Sequence, residues 1–226
     1  MYRKAEELAN QNGWFFARQF ETTDNAKMHE ESTAQEILAD FEGEPLDTLV
    51  SGYGTGGTFV GIARVLRRER PDTKLVLCEP DIAALLTDGE AQGRNEDGSP
   101  AVSHKAFTPH PIQGWAPDFV SLVLQEAVDD QLYDDLHTVS GAESMEWSRK
   151  LAAQEGIFTG ISGGGTFAIA MRYAETADPG SVILCMLPDT GERYLSSPLF
   201  EDIVEDMTPE EIELMKSTPG YQMAGY

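Results

Sequence analysis

The sequence predicts an α/β fold: a largely parallel sheet flanked by helices on both faces. Three observations predict it. Helix and strand signals alternate along most of the 226 residues. The strand runs are short and almost wholly apolar, as in Leu75-Val76-Leu77-Cys78 and Val182-Ile183-Leu184-Cys185-Met186, which is how strands read when both faces of a sheet are covered. Glycine-rich turns follow Ser51 and Ile161, at strand or segment ends where ligands of such sheets bind.

Taken in order, residues 3–12 have the spacing of an amphipathic helix that Gly13 stops. The aromatic run at 14–20 reads as a strand. Residues 28–41 read as one helix, ended near Gly43. Residues 47–51 form a short strand that runs into glycines. A helix over 58–70 has arginines in its last turn, which suits the negative end of the helix dipole, and Pro71 terminates it. Residues 74–78 are the next strand. Residues 91–118 are rich in Gly, Pro, Asn and Asp without periodicity, the composition of a long functional loop. A strand at 133–139 and a helix at 141–155, closed by Gly156, come next. Gly163-Gly164-Gly165 precedes a helix over 166–177, and 181–187 is a buried strand that turns at Pro188. Thr208-Pro209-Glu210-Glu211 is a capping box opening a short helix in the tail.

Composition excludes several functions. With 16 Lys+Arg against 39 Asp+Glu the net charge is −23, a surface that repels nucleic acid and anionic membrane. Such a surface aids solubility and suits high salt, where self-repulsion is screened. No apolar run approaches the length of a membrane span, and the first residues lack the apolar stretch of a signal peptide. The two cysteines, Cys78 and Cys185, lie in apolar strands and fit a reducing cytoplasm. His29, His104, His110 and His137 have no metal-ligand spacing.

The motif that carries chemistry is Ser51-Gly52-Tyr53-Gly54-Thr55-Gly56-Gly57-Thr58, set between a strand and a helix. Glycines let consecutive backbone N–H groups turn toward one anion, and the start of the helix adds its positive end. Thr55 and Thr58 add hydroxyl donors. The loop is therefore expected to hold a phosphate group. A dinucleotide site competes with this reading, because Gly52, Gly54 and Gly57 also fit G-x-G-x-x-G, with Glu79 where a ribose-binding acid belongs.

Other segments favour a different cofactor. Pro188-Asp189-Thr190-Gly191-Glu192-Arg193-Tyr194-Leu195-Ser196 resembles a signature of the cysteine synthase (O-acetylserine sulfhydrylase) family. The glycine loop resembles that family's phosphate loop for pyridoxal 5'-phosphate (PLP). His110-Pro111-Ile112-Gln113-Gly114 and Gly156-Ile157-Phe158-Thr159-Gly160-Ile161-Ser162-Gly163-Gly164 resemble two further stretches, in the family's order. The resemblance implies the PLP fold type II. It divides the chain into 1–22, a remnant of the small N-terminal domain; 23–205, the PLP-binding large domain; and 206–226, an acidic tail. It assigns Gly54, Thr55, Gly56, Gly57 and Thr58 to the cofactor phosphate, Thr190 to the pyridine nitrogen, and Gln19 and Gly114 to the substrate.

The implied reaction replaces the acetate of O-acetylserine with sulfide to give cysteine. A hydroxyl at the ring nitrogen suits such β-replacement better than transamination. Asp189, next to Thr190, would change that chemistry if it took the nitrogen instead. The implied partners are a small amino-acid substrate, the C-terminal peptide of serine acetyltransferase, and a second copy in a homodimer or a separate N-terminal segment. Two departures stand out. Trp115-Ala116-Pro117-Asp118 replaces a small, glycine-rich loop, so Trp115 either narrows the pocket mouth or packs beneath the loop. The family's catalytic lysine, which anchors PLP and moves the α-proton, belongs to a region before this sequence. None of Lys4, Lys27, Lys74, Lys105, Lys150 and Lys216 has its context, so the chain alone is expected to be inactive, or to be a non-catalytic binder of PLP or of a partner.

Overall fold

The structure, a computed structural model, describes residues 2–203, 206–217 and 220. Four strands form one parallel sheet: β1 (Thr48–Gly52), β2 (Lys74–Pro80), β3 (Asp135–Val139) and β4 (Ile183–Cys185), in the spatial order β3-β2-β1-β4. Val50 of β1 lies beside Val76 of β2 on one side and Cys185 of β4 on the other. Side chains alternate across a strand, so the apolar runs supply both faces. Leu49, Leu75 and Leu77 pack on one side, and Val50, Val76 and Cys78 on the other.

Helices cover both faces, as the sequence predicts. On the Leu49 side lie α2 (Asp24–Glu31), α3 (Thr33–Asp40), α4 (Gly57–Glu69) and α5 (Leu122–Asp129). On the Val50 side lie α6 (Gly141–Lys150) and α7 (Ile161–Ala174). The remaining helices are α1 (Tyr2–Asn12) and α8 (Pro209–Ser217). The latter opens with the reciprocal bonds of a capping box: Thr208 N–H donates to Glu211 Oε2 at 2.7 Å and Glu211 N–H to Thr208 Oγ1 at 3.2 Å. No helix among the described residues is long and apolar enough to cross a membrane.

Five elements differ from the sequence reading. Residues 14–20 are not a strand. Trp14 and Phe15 are 63% and 93% exposed, and Arg18 has φ 47°, which breaks an extended run. The helix expected over 28–41 is two helices, parted at Ser32, whose hydroxyl turns back to the Met28 carbonyl. The triglycine lies inside α7 rather than before it. A Cβ on Gly164 would sit 2.0 Å from the Ser144 carbonyl oxygen, and one on Gly163 2.0 Å from Thr159 Oγ1. These glycines serve close packing of α7 on α6 and on the preceding turn, not chain reversal. The last strand is three residues at the sheet edge and half-buried, so Cys185 is less enclosed than Cys78. The helix α5 has no counterpart in the sequence reading.

Candidate cofactor site

The glycine loop runs from the carboxyl end of β1 into the start of α4, and three neighbours fix its shape. Gly56 precedes α4 with φ 90°, and a Cβ there would lie 2.8 Å from the Leu124 backbone of α5. Gly57 rests on Asn25, where a Cβ would lie 2.0 Å from Oδ1. Gly54 rests on the Gly114 carbonyl, where a Cβ would lie 2.2 Å from the oxygen. Glycine is required at these positions by contact, and at Gly56 also by backbone conformation.

Polar side chains lock the same loop. Asn25 Nδ2 donates to Thr55 Oγ1 at 2.9 Å and to the Gln19 carbonyl at 2.9 Å. The Ser121 hydroxyl donates to the Thr55 carbonyl at 2.6 Å and accepts from Leu124 N–H at 2.8 Å, so the residue that caps α5 also holds the loop. Thr58 Oγ1 lies 3.1 Å from His29 Nε2, whose Nδ1 lies 2.9 Å from Thr33 Oγ1. Burial lowers the His29 pKa from its usual value, favouring the neutral ring.

A cleft of about 320 Å³ opens at this end of the sheet. Gly54, Thr55, Thr58 and Gly114 line it, together with Trp115, Ser162, Thr166, Asp189 and Tyr194. Gly56 and Gly57 shape the loop from behind. Gln19 lies away from the cleft and lines a separate apolar hollow of about 470 Å³ with Tyr2, Phe16, Phe20 and Phe119. Thr190 is exposed, and its hydroxyl lowers the Glu192 carboxyl below the usual carboxylate range. Volume alone does not choose between the hollows. The smaller one has the helix start and the two hydroxyls that an anionic ligand needs.

Trp115 packs beneath its loop, 7% exposed. Its indole fills the space over Gly52, where a Cβ would lie 1.9 Å from the ring, and reaches Gly165 of α7. Ala116, at φ 28°, is held by its N–H to the Tyr53 carbonyl at 2.8 Å and by its carbonyl to His110 Nε2 at 3.1 Å. The loop around Gly114 and Trp115 and the glycine loop thus form one packed unit.

At the far side of the cleft, Asp189 follows β4. Its Oδ2 accepts the Tyr194 hydroxyl at 2.5 Å, and its buried Oδ1 has no partner. Burial, and then the Asp189 carboxylate, push the Tyr194 phenol pKa up. Sequence reasoning passed over Asn25, His29 and Tyr194. Nothing in local sequence marks Asn25 and His29, because each reaches the site from another element, whereas Tyr194 stands in the same segment as Asp189.

Glu79 does not serve a dinucleotide. It is fully buried and accepts from the Tyr53 hydroxyl at 2.6 Å, Leu86 N–H at 3.0 Å and Thr87 N–H at 2.8 Å. Its oxygens are committed to the core and to the turn after β2, so no ribose can reach them. Burial, and then Glu79, push the Tyr53 phenol pKa well up.

A parallel sheet with a glycine loop shaped for an anion after β1 and an acidic loop after β4 is an arrangement suited to binding a phosphorylated ligand. Residues 1–189 match the model of one family, pyridoxal-phosphate dependent enzyme, and the chain belongs to that family. Among its relatives is the O-ureido-L-serine synthase of Streptomyces lavendulae, 48% identical over 201 residues, covering 89% of this chain and 56% of that protein. A cysteine synthase of Staphylococcus aureus is 35% identical over 198 residues, covering 88% and 57%. A crystal structure of O-ureido-L-serine synthase matches with a TM-score of 0.79 at 46% identity, covering 92% of this chain and 60% of that one. O-acetyl serine sulfhydrylase isoform 3 from Entamoeba histolytica matches with a TM-score of 0.73 at 30% identity, covering 93% and 57%. The fold is that of the type II PLP enzymes, and the chain spans 56% to 60% of these relatives' lengths.

The cleft fits the family's cofactor. Its loop end offers hydroxyls and a helix start to a phosphate, and its one lining acid, Asp189, stands after β4 with an unpartnered buried oxygen. No lysine lines it. All six lysines lie on the surface in ion pairs, for example Lys27 with Glu31 at 3.7 Å and Lys150 with Glu146 at 2.6 Å.

Proposed function

We propose that residues 23–205 are the cofactor-binding large domain of a PLP-dependent β-replacement enzyme acting on an O-activated L-serine. The observation that carries this reading is the glycine loop, closed by Asn25, Ser121 and Leu124 into a rigid cradle at the start of α4. Thr55, Thr58 and the first N–H groups of α4 bind the phosphate. Gly114 borders the substrate, and the Gln19 segment is tied to the cradle through Asn25. PLP supplies the electron sink for loss of the α-proton. In the overall exchange the β-carbon loses acetate and gains a nucleophile. With hydrogen sulfide, O-acetyl-L-serine gives L-cysteine and acetic acid.

A second product deserves the same assay, because of the 48% identity to an O-ureido-L-serine synthase. By that name the product carries a ureido group on the serine oxygen, for which hydroxyurea would be the entering nucleophile. The two free thiols, Cys78 and Cys185, suit a reducing compartment, and we place the protein in the cytoplasm.

The test is titration of the 226-residue chain with PLP, pyridoxal and inorganic phosphate. PLP is expected to bind, phosphate to compete with it, and pyridoxal to bind at least about tenfold more weakly, a difference of about 1.4 kcal/mol. Borohydride reduction and mass analysis are expected to find no modified lysine. Equal binding of pyridoxal and PLP would overturn the reading. Incubation with O-acetyl-L-serine, an alkylamine as external base, and either sulfide or hydroxyurea then separates the two products by mass.

A further inference from the structure

The long loop between β2 and α5 has no part in the chemistry proposed above, yet its side chains reach the residue that closes the cradle. Residues 93–101 fold back on themselves. Ala101 N–H donates to the Gly93 carbonyl at 2.9 Å, Asn95 N–H donates to the Ser99 carbonyl at 2.9 Å, and Arg94 pairs with Pro100 in an antiparallel bridge. Two side chains of this turn grip the segment before α5. Gln92 is buried; its Oε1 accepts from Val120 N–H at 3.1 Å and its Nε2 donates to the Val102 carbonyl at 2.8 Å. Arg94 Nη2 donates to the Val120 carbonyl at 3.0 Å and to the Ser121 carbonyl at 3.4 Å. Arg94 thus holds the peptide units on either side of the Ser121 α-carbon, with charge-assisted bonds that are about twice as strong as neutral ones.

Ser121 in turn decides which way the glycine loop faces. Its hydroxyl donates to the Thr55 carbonyl at 2.6 Å and draws that oxygen toward α5. In a trans peptide the N–H points opposite to the C=O. The Gly56 N–H is therefore turned away from α5, to the side where Thr55 and Thr58 line the cleft. We propose, resting on the PLP reading above, that Arg94 and Gln92 are positioning residues for the cofactor phosphate: they fix Ser121, and Ser121 aims the Gly56 N–H at the anion. The loop after β2 is then a brace of the phosphate site. The bracing is reciprocal, because the coupling free energy between brace and ligand is the same in both directions.

The experiment compares the binding of PLP and of pyridoxal, which differ only by the phosphate, to the 226-residue chain and to its Arg94→Met and Gln92→Leu variants. Arg94→Met is expected to weaken PLP about tenfold while pyridoxal changes by less than about twofold. Gln92→Leu should act in the same direction, and Arg94→Lys should recover part of the loss. The parent chain supplies a second measurement that needs no variant: hydrogen exchange at the amides of Val120 and Leu124, whose acceptors are Gln92 and Ser121. PLP is expected to slow exchange at both, and pyridoxal is not. If Arg94→Met fails to fold, the exchange result decides alone. Equal weakening of PLP and pyridoxal in Arg94→Met would mean a general loosening and overturns the proposal. Exchange at Val120 and Leu124 that bound PLP leaves unchanged overturns it as well, with PLP binding intact. A parent chain that binds no PLP overturns the PLP reading and this inference together.

Discussion

Single residues decide how firmly the cradle is held. A methyl group on Gly54 would meet the Gly114 carbonyl at 2.2 Å, and Gly114 is itself at φ 89° on a loop pinned through Ala116. The contact is with a backbone atom and not with the end of a flexible side chain, so Gly54→Ala is expected to destabilise by about 1–3 kcal/mol through overpacking. It should also weaken PLP binding more than that of a ligand bound elsewhere. Urea unfolding and PLP titration check both. His29 makes a second case. Burial lowers its folded pKa below the usual 6.5, so the unfolded chain takes up the proton first. The stability this gives is present above the unfolded pKa and is lost as pH falls through the folded one. The urea midpoint of the parent chain should therefore fall more steeply between about pH 7 and about pH 5 than that of His29→Asn. Parallel declines would remove His29 from the account. The glycine motif was legible in the sequence because it is local. Whether Trp115 narrowed the cleft or packed under its loop was not legible, since that depends on Gly52 and Gly165 from two distant elements.

At the scale of elements, tertiary contact explains each mismatch. The run 14–20 has the aromatic content of a strand, but among the described residues no strand lies beside it, and its rings instead join Tyr2 and Phe119. The triglycine reads as a turn because glycine is poor in helices. Contact with α6 outweighs that propensity. The helix α5 escaped notice behind a long irregular loop, although Ser121 before Leu122 has the pattern of a helix cap. It holds the cradle through Leu124 and also anchors α4. Arg64 of α4 bonds Glu30 of α2, and its Nε donates to Glu126 of α5 at 2.5 Å. The two carboxylates raise its pKa against the effect of burial. Arg64→Ala leaves both acids without the guanidinium they share. The expected loss is about 1–2 kcal/mol, since the site is part-exposed and solvent screens the pair. Adding Glu30→Gln and Glu126→Gln should restore much of it. Thermal melts of the single and triple variants at low salt check this. If the triple variant melts no higher than Arg64→Ala, charge repulsion is not the cause.

For the whole molecule, electrostatics sets the balance. The 39 acids outnumber the 16 Lys and Arg, which leaves a surplus of 39 − 16 = 23 negative charges. Salt acts on two opposing terms. It weakens surface ion pairs such as Lys4 with Glu7 and Lys105 with Glu90, but exposed pairs contribute only about 0–1 kcal/mol each. It also screens the mutual repulsion of the surplus acids, which extends over about 10 Å at 0.1 M and about 3 Å at 1 M. Repulsion involves many more pairs and longer distances than the bridges do, and unfolding relieves it by separating the charges. Screening should therefore stabilise the folded chain on balance. The melting temperature is expected to rise as KCl is raised from about 0.1 M to about 1 M. Chloride is preferable to sulfate, because sulfate strengthens apolar burial in any protein. Repeating the melts near pH 4, where many carboxylates are protonated, separates the charge effect from any general effect of the salt. A rise at neutral pH that vanishes in acid assigns the stabilisation to the surplus acids. A flat or falling melting temperature at neutral pH would mean that the ion pairs outweigh the repulsion, despite the net charge of −23.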